Sequence, residues 1–459
     1  MSSPVFGAKV ALARAIGAAS RASGRGGGTT LPGRALLRLS PAAIKVLGRR
    51  LTRGTTIVSA TNGKTTTAGM ISAVLAAEGR APVHNSAGSN MTWGVATALL
   101  EQRGEEGLFE VDEAWLPEVS DQLDPGLIVL GNLFRDQLDR YGELEKLADD
   151  WADLVAVRTG RSRFVLNADD PLIADLGRDR EERPREGLTY FGIDDQTQAL
   201  PELQHAHDAK HCRRCGHPYT YERAFVGHLG HYSCPSCGAS RPRPDVAATE
   251  IELQGMKGSR ISIHTPEGDL ELTLPLPGLY NVYNALAAIA AALALGASLE
   301  SVRSGLQSMR ALFGRVETIE VDGKPVSILL IKNPAGANEV LRTLRLESDG
   351  RDLDLLLALN DGIADGRDVS WIWDADFELL AGEVRRVTCA GTRAAEMALR
   401  LKYAGWPQES ITVESGIETA LQGAVADSGG HLYALPTYTA MLELRKLLSD
   451  RGLAAEYWA

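Results

Sequence analysis

The stretch that most restricts what this chain can fold into is Val58-Ser59-Ala60-Thr61-Asn62-Gly63-Lys64-Thr65-Thr66-Thr67. It follows the apolar, β-branched run Thr55-Thr56-Ile57-Val58 and precedes residues 68–75, a segment of helical character. A strand, a small-residue turn and a helix N-terminus in succession make an anion site, because free backbone N–H groups and the helix dipole point into the turn. Lys64 adds a point charge suited to β- and γ-phosphates, and the Thr65 hydroxyl can ligate Mg²⁺. The general phosphate-loop pattern has glycine five residues before Gly63, where this chain has Val58. The Gly-Lys-Thr core is intact, and it marks a nucleotide site.

At 459 residues the chain exceeds one compact core, so two or three domains are expected. No apolar run is long enough to span a membrane. A net charge of −11 argues against a dedicated nucleic-acid binder, whose affinity would come largely from phosphate neutralisation. The charge is uneven. Residues 1–53 hold ten Lys or Arg and no acid, and the first carboxylate is Glu78. No cleavage site follows the apolar segment 10–19, so this arm is not read as a targeting peptide. It reads as a solvated basic helical arm. The sharper alternative is a face for an anionic partner, such as a membrane surface or a phosphorylated lipid.

From residue 54 to about 200, short apolar runs such as Leu127-Ile128-Val129-Leu130 and Phe164-Val165-Leu166 alternate with amphipathic segments. That alternation predicts βαβ units and a parallel sheet with ligands at the carboxyl ends of its strands. Residues 247–275 alternate with period two, as antiparallel strands do, and 281–295 is an alanine-rich helix. A second α/β region begins near Ile319, with buried strands expected at 327–331, 354–359 and 386–390 and a helix over 392–403. The expected organisation is a basic arm over 1–50, a nucleotide-binding domain over 51–317 and a C-terminal α/β domain over 318–459.

Cys212-x-x-Cys215 and Cys234-x-x-Cys237 are eighteen residues apart, which suits a four-thiolate zinc ribbon inserted at about 205–242. Gly216 and Gly238 supply the turns of the two knuckles. A closed four-sulfur site leaves no open coordination position, so its role is structural. His211, His217, His228 and His231 lie nearby and are read mostly as surface residues. Phe109-Glu110-Val111-Asp112-Glu113 ends an apolar segment in three carboxylates, which can hold Mg²⁺ between β- and γ-phosphates. Asn132 to Asp139 and Asn167-Ala168-Asp169-Asp170-Pro171 also follow expected strands.

These pieces, in this order, resemble the Mur ligase superfamily, ATP-dependent enzymes that activate carboxylates as acyl phosphates. The resemblance rests on Thr61-Asn62-Gly63-Lys64-Thr65-Thr66, Glu110 and its acidic neighbours, Asn132…Asp136-x-Leu138-Asp139 and Asn167-x-Asp169-Asp170-Pro171. It extends to Gly278-Leu279-Tyr280-Asn281-x-x-Asn284, Gly314-Arg315-Val316-Glu317, Asn333-Pro334 and Gly391-Thr392-Arg393. It implies a central ATPase domain with a parallel sheet and an inserted four-cysteine zinc ribbon, followed by a Rossmann-like C-terminal α/β domain. It further implies that Lys64 and Thr65 bind phosphates and Mg²⁺, that Glu110 or Glu113 binds Mg²⁺, and that Asn284 contacts adenine. Arg315 and Arg393 become candidates for nucleotide or acyl-phosphate binding.

The departures point to one branch. Only about fifty residues precede the loop, so the usual N-terminal uridine-nucleotide domain is expected to be absent and a lipid-linked substrate is favoured. Tyr280 and Gln137 replace the family's histidines, and Leu329-Leu330-Ile331-Lys332 replaces its Asp-Tyr-Ala-His before Asn333. With the zinc ribbon, the stretches 360–374 and 435–441 look like the ligase-type subunits of lipid II isoglutaminyl synthases. Those subunits pair with a GatD-type glutaminase and amidate the α-carboxyl of D-glutamate in the lipid II stem peptide. The resemblance therefore implies ATP, Mg²⁺ and structural Zn²⁺, a heterodimer, and a place in the cytoplasm at the inner face of the membrane.

The residues agree with that division of labour. A glutaminase needs a reactive cysteine with a partner histidine. Four of the five cysteines fit the zinc site, and Cys389 lies in Val387-Thr388-Cys389-Ala390, where an inert buried thiol is expected. In the resembled subunits an aspartate completes the partner's Cys-His pair. The candidates here are Asp361, Asp365, Asp368 and Asp374, with Asp368 chosen and Asp365 second. An amino-acid-adding ligase of the Mur or folylpolyglutamate type is the alternative reading, and a zinc-ribbon nucleic-acid-binding ATPase a more distant one.

Overall fold

The computed structural model describes residues 4–22, 30–86, 89–135, 144–179, 181, 183–204, 207–309, 316–348 and 352–454. Strand β1 (Thr55–Ser59) is buried along its whole length. It pairs in parallel with β3 (Gly107–Glu110) on one side and β4 (Leu127–Leu130) on the other. Beyond β3 lies β2 (Val83–His84); beyond β4 lie β5 (Arg163–Asn167), β6 (Leu188–Ile193) and β9 (Val246–Leu253), all parallel. Antiparallel β10 (Ser259–Thr265) and β11 (Gly268–Leu274) complete a nine-stranded sheet ordered β11-β10-β9-β6-β5-β4-β1-β3-β2. The chain leaves β1 toward one side for β2 and β3, then returns to the other for β4. The carboxyl end of β1 is therefore the switch point where α/β sheets bind ligands.

Alternation along the strands divides two cores. Val58, Leu127 and Val129 face the helix Lys64–Ala77 and the alanine-rich helix Leu279–Ala294, while Ile57, Ile128 and Leu130 face a core centred on buried Trp151. Small side chains let the helices approach closely: a Cβ at Gly305 would lie 2.7 Å from the Val74 Cα. The period-two stretch forms β9 to β11 as expected. In β10 and β11 alternate residues face the core, so one sheet face meets solvent.

A second sheet holds β12 (Val316–Val321), β13 (Lys324–Leu329), β14 (Leu353–Ala358), β15 (Val384–Ala390), β16 (Ile411–Val413) and β17 (Leu432–Pro436). Its order is β12-β13-β17-β14-β15-β16, parallel except for the β12–β13 hairpin. β13 starts three residues before its apolar run because Asp322 and Gly323, both at positive φ, turn the hairpin there. Between β6 and β9, β7 (Thr220–Val226) and β8 (Leu229–Ser233) make a separate two-stranded ribbon.

The basic arm folds as the helices Pro4–Ala22, Leu31–Leu39 and Ala43–Gly48. Most of its cations are exposed, as expected, and three of them also serve a neighbouring helix. Arg14 Nη2 donates to Leu100 O at 2.7 Å, Arg50 Nη2 donates to Leu99 O and to Gln102 O, and Arg21 pairs with Glu101 at 2.6 Å. These groups converge on the C-terminus of the helix Thr92–Glu101, where cations offset the dipole. Gly33 packs against that helix, and a Cβ there would lie 1.9 Å from Trp93 O. Gly33→Ala should therefore lower stability by about 1–3 kcal/mol. A thermal midpoint equal to that of the unchanged protein would contradict this packing.

Candidate functional site

The loop at the end of β1 is held by side-chain amides. Asn62 N–H donates to Asn132 Oδ1 at 2.9 Å, and Asn132 Nδ2 donates back to Asn62 O at 3.0 Å. Phe134 N–H donates to Thr61 Oγ1 at 3.1 Å. The segment after β4 thus braces the loop, which is a positioning role for the Asn132 motif. Asp136 to Asp139 of that motif lie outside the described residues, as does Arg315. The second sheet reaches the same loop: Asn333 Nδ2 donates to Asn62 Oδ1 at 3.0 Å, and Lys332 Nζ donates to Thr61 O at 3.1 Å.

Gly63 has φ +91° and caps the helix Lys64–Ala77. A Cβ there would fall 1.9 Å from Asn284 Oδ1, so both the backbone angle and the close approach call for glycine. Asn284 accepts a hydrogen bond from Thr67 Oγ1 at 3.3 Å and donates to Asn281 Oδ1 at 3.0 Å. Their i, i+3 spacing on one helix places both amides on the face that meets the loop. A cleft opens beside them, lined by Asn62, Thr67, Asn132, Asn167, Phe191, Tyr283 and Asn284.

Lys64 and Glu113 form a buried ion pair at 2.7 Å, and Lys64 Nζ also donates to Ala60 O. Glu113 opens a short turn after Asp112, whose carboxylate caps it, and Trp151 Nε1 donates to Glu113 O at 3.0 Å. Burial pushes the Glu113 carboxyl upward, but the charges of Lys64 and Lys332 outweigh it and hold the group below its ordinary range. Glu110 is equally buried at the end of β3, with its backbone clamped by Asn85 at 2.8 and 3.0 Å. Thr65 and Thr66 stand in the first turn of the same helix. A hydroxyl and two carboxylates beside an ammonium are the hard oxygen donors and charge that Mg²⁺ and a polyphosphate require. The donor set fits both.

Behind the cleft, Asp169 Oδ2 accepts from Tyr283 Oη at 2.7 Å and from Ile193 N–H at 2.9 Å, while Oδ1 pairs with Arg241. Asp170 caps the helix Pro171–Ala174 and holds Leu133 N–H at 2.9 Å. The two aspartates therefore act on the site through Tyr283 and Leu133. Sequence reasoning missed this linkage, since nothing local pairs residue 169 with residues 241 and 283. It also missed His228, which is fully buried with Nε2 3.4 Å from Asp170 Oδ1.

Around the β7–β8 ribbon, Cys212, Cys215, Cys234 and Cys237 bring their sulfurs within 4.8 Å of one another. The pairs Cys212–Cys237 and Cys215–Cys234 are 3.6 and 3.4 Å apart. A tetrahedron of thiolates about 2.3 Å from a zinc ion has edges of about 3.8 Å, so the cluster matches a closed metal site. Gly216 and Gly238 carry φ +73° and +77° and donate to Cys212 O and Cys234 O. Cys389 stays apart in β15, and burial pushes its thiol up to about 12.

The four C-terminal aspartates differ sharply. Asp365 is buried and committed to Thr439, whose N–H it accepts at 2.8 Å. Asp361 is tied to Thr392 and Arg393 at 2.8 and 2.9 Å, and Asp374 faces Arg135 at 3.3 Å. Asp368 is exposed, and its carboxylate accepts from Ser370 N–H at 2.8 Å within its own turn.

A phosphate loop enclosed in this way between two α/β units is the arrangement of the Mur-type ligases. A family model of the Mur ligase middle domain matches residues 58–292, and one described as MurT ligase C-terminal matches 330–441. Subunit MurT of the lipid II isoglutaminyl synthase (glutamine-hydrolyzing) of Streptococcus pneumoniae is 34% identical over 93% of this chain and 94% of its own. The Staphylococcus aureus (strain N315) protein of the same name is 30% identical over 95% and 96%. The pseudomurein peptide ligase type C from Methanothermus fervidus shares the fold with a TM-score of 0.67, at 23% identity over 88% of this chain and 80% of that one. The chain belongs to the MurT family.

The pH behaviour of the buried pair is testable. Because the Glu113 pKa is lowered from its ordinary 4.5, its contribution is complete above that pH and lost as pH falls through the lower folded value. Glu113→Gln should remove this acid-side loss and cost about 3 kcal/mol at neutral pH by leaving Lys64 without its carboxylate. An unaltered acid limb in pH-dependent thermal unfolding would contradict the assignment.

Proposed function

We propose that this chain is the ATP-consuming ligase subunit of a divided amidotransferase. It activates the α-carboxyl of D-glutamate in the lipid II stem peptide and forms D-isoglutamine with ammonia from a glutaminase partner. The observation that carries this reading is the buried pair of Lys64, at the end of a glycine-turned loop, with Glu113, and buried Glu110 at the end of the neighbouring strand, in a chain whose relatives bear the isoglutaminyl synthase name. The loop Thr61 to Thr66 holds the polyphosphate through its N–H groups and Lys64. Thr65, Glu110 and Glu113 would hold Mg²⁺, which would supply positive charge against the polyphosphate. Asn284 orients the base in the cleft. The substrate carboxylate accepts the γ-phosphoryl group, ammonia attacks the acyl phosphate, and phosphate leaves.

Two features favour a nitrogen source in trans. Four cysteines share the metal cluster and the fifth is a buried thiol raised to about 12, so none is a ready nucleophile. Asp368 is the carboxylate placed to be lent. It is exposed, as are Ile363 and Trp373 of the same segment, and Trp373 packs on exposed Tyr403 with ring centroids 5.7 Å apart. A partner seated there covers apolar surface and receives an orienting carboxylate for its histidine. A lipid-linked substrate brings the chain to the inner membrane face as a peripheral subunit; among the described residues no helix is long and apolar enough to cross a membrane.

Reconstitution tests the reading. The chain alone should amidate lipid II with ATP and ammonia, and should use glutamine only with a glutaminase subunit; glutamine-dependent activity without a partner overturns it. Asp368→Asn should abolish glutamine-dependent amidation by the complex while sparing ammonia-dependent amidation. Equal loss with both sources moves the role elsewhere. Metal analysis should find about one zinc per chain, lost on Cys234→Ser together with thermal stability.

A further inference from the structure

A second cation reaches the phosphate loop from the other sheet. Lys332 lies between β13 and the helix Pro334–Ser348. Its backbone is fixed on both sides: Ile331 N–H donates to Pro436 O at 3.0 Å, and Asn333 Oδ1 accepts from Gly336 N–H at 2.9 Å. Lys332 Nζ donates to Thr61 O at 3.1 Å, and its charge acts on Glu113, the carboxylate that Lys64 Nζ contacts at 2.7 Å. Two ammonium groups, one from each sheet, thus stand at the loop: Lys64 in direct contact with Glu113, and Lys332 on the carbonyl of Thr61.

A purely structural tie between the two units does not call for this lysine. The Asn62–Asn333 amide pair already joins them, at 3.0 Å, one residue away. What Lys332 adds is charge, on a half-buried, flexible stem with three rotatable donors that can turn from a carbonyl to a phosphoryl oxygen. The chemistry has a use for it. A substrate carboxylate entering beside a polyphosphate brings one more negative charge into a site where Lys64 serves the nucleotide.

We propose that Lys332 is a catalytic cation on the acyl side of phosphoryl transfer, stabilising the transferring group and the acyl phosphate it becomes. This rests on the ATP-dependent ligase reading. The bond from the γ-phosphorus to the β,γ-bridging oxygen breaks, and its electron pair stays with ADP. A carboxylate oxygen forms the new bond to phosphorus, and Lys332 keeps its proton throughout. Because the ammonium comes from the second sheet, the site is electrostatically complete only when the two units are apposed. That couples phosphoryl transfer to the exclusion of water.

The experiment uses the complex with its glutaminase partner, ammonia as nitrogen source, and nucleotide binding measured separately. Lys332→Met should lower kcat about 10²–10³-fold while the dissociation constant for ATP stays within about threefold. Trapping of the acyl phosphate by hydroxylamine should fall with kcat, and Lys332→Arg should recover part of the rate. A kcat within about threefold of the unchanged protein, or ATP binding weakened by the same factor as kcat, overturns the proposal, the second by showing that Lys332 only supports the loop. Failure of the underlying reading looks different: the unchanged protein would not bind ATP, or Lys64→Ala would bind it equally well.

Discussion

The structure depends on the backbone of Thr61 and Asn62 being held in one place. Asn132, from the segment after β4, closes a reciprocal amide pair on Asn62, and Asn333 from the second sheet makes another with the Asn62 side chain. A phosphate loop must keep its N–H groups turned inward and unsatisfied until a ligand arrives, which an unsupported turn would not do. Bracing by neutral amides fixes the loop without adding charge to the space an anion needs. The same residues carry the contact between the two sheets, so the loop also registers how the second unit sits.

Burial of the Lys64–Glu113 pair is a poor way to gain stability, because desolvating two charges offsets much of their attraction. Its value is that neither charge can leave. The ammonium is stored next to the site, held by a carboxylate that can itself take a cation. Around this pair the sheet supplies rigidity: β1 and β3 are buried throughout, and Trp151 fixes the Glu113 backbone from the opposite core.

The four-cysteine insertion is tied to the cleft by more than chain connectivity. Arg241, four residues past the last cysteine, pairs with buried Asp169, which accepts from Tyr283 next to Asn284. His228 at the ribbon tip stands over Asp170, which positions Leu133. A fully buried carboxylate such as Asp169 demands a cation and hydrogen-bond donors, and the insertion delivers the cation. The four-cysteine insertion thereby supports the wall of the cleft from outside it.

Much of this was readable beforehand because it is local. The Gly-Lys-Thr turn, the two knuckles with their glycines, the period-two strands and the alanine-rich helix each follow from short-range geometry and burial, and each stands where expected. Most cations of the basic arm are exposed, as its composition suggested, but the hydrogen bonds of Arg14 and Arg50 were not legible, because the carbonyls they satisfy belong to a helix some fifty to ninety residues away. The family resemblance left four aspartates as candidates for a carboxylate lent to a partner. Tertiary structure separated them, burying Asp365, pairing Asp361 and Asp374 with arginines and leaving Asp368 in solvent. By itself, then, the sequence determined which chemistry the chain carries, since turn, knuckle and capping geometry act within a few residues. Only the folded sheets decided which charges meet, because Lys64, Glu113 and Lys332 lie far apart in the chain and are brought together by the convergence of strand ends.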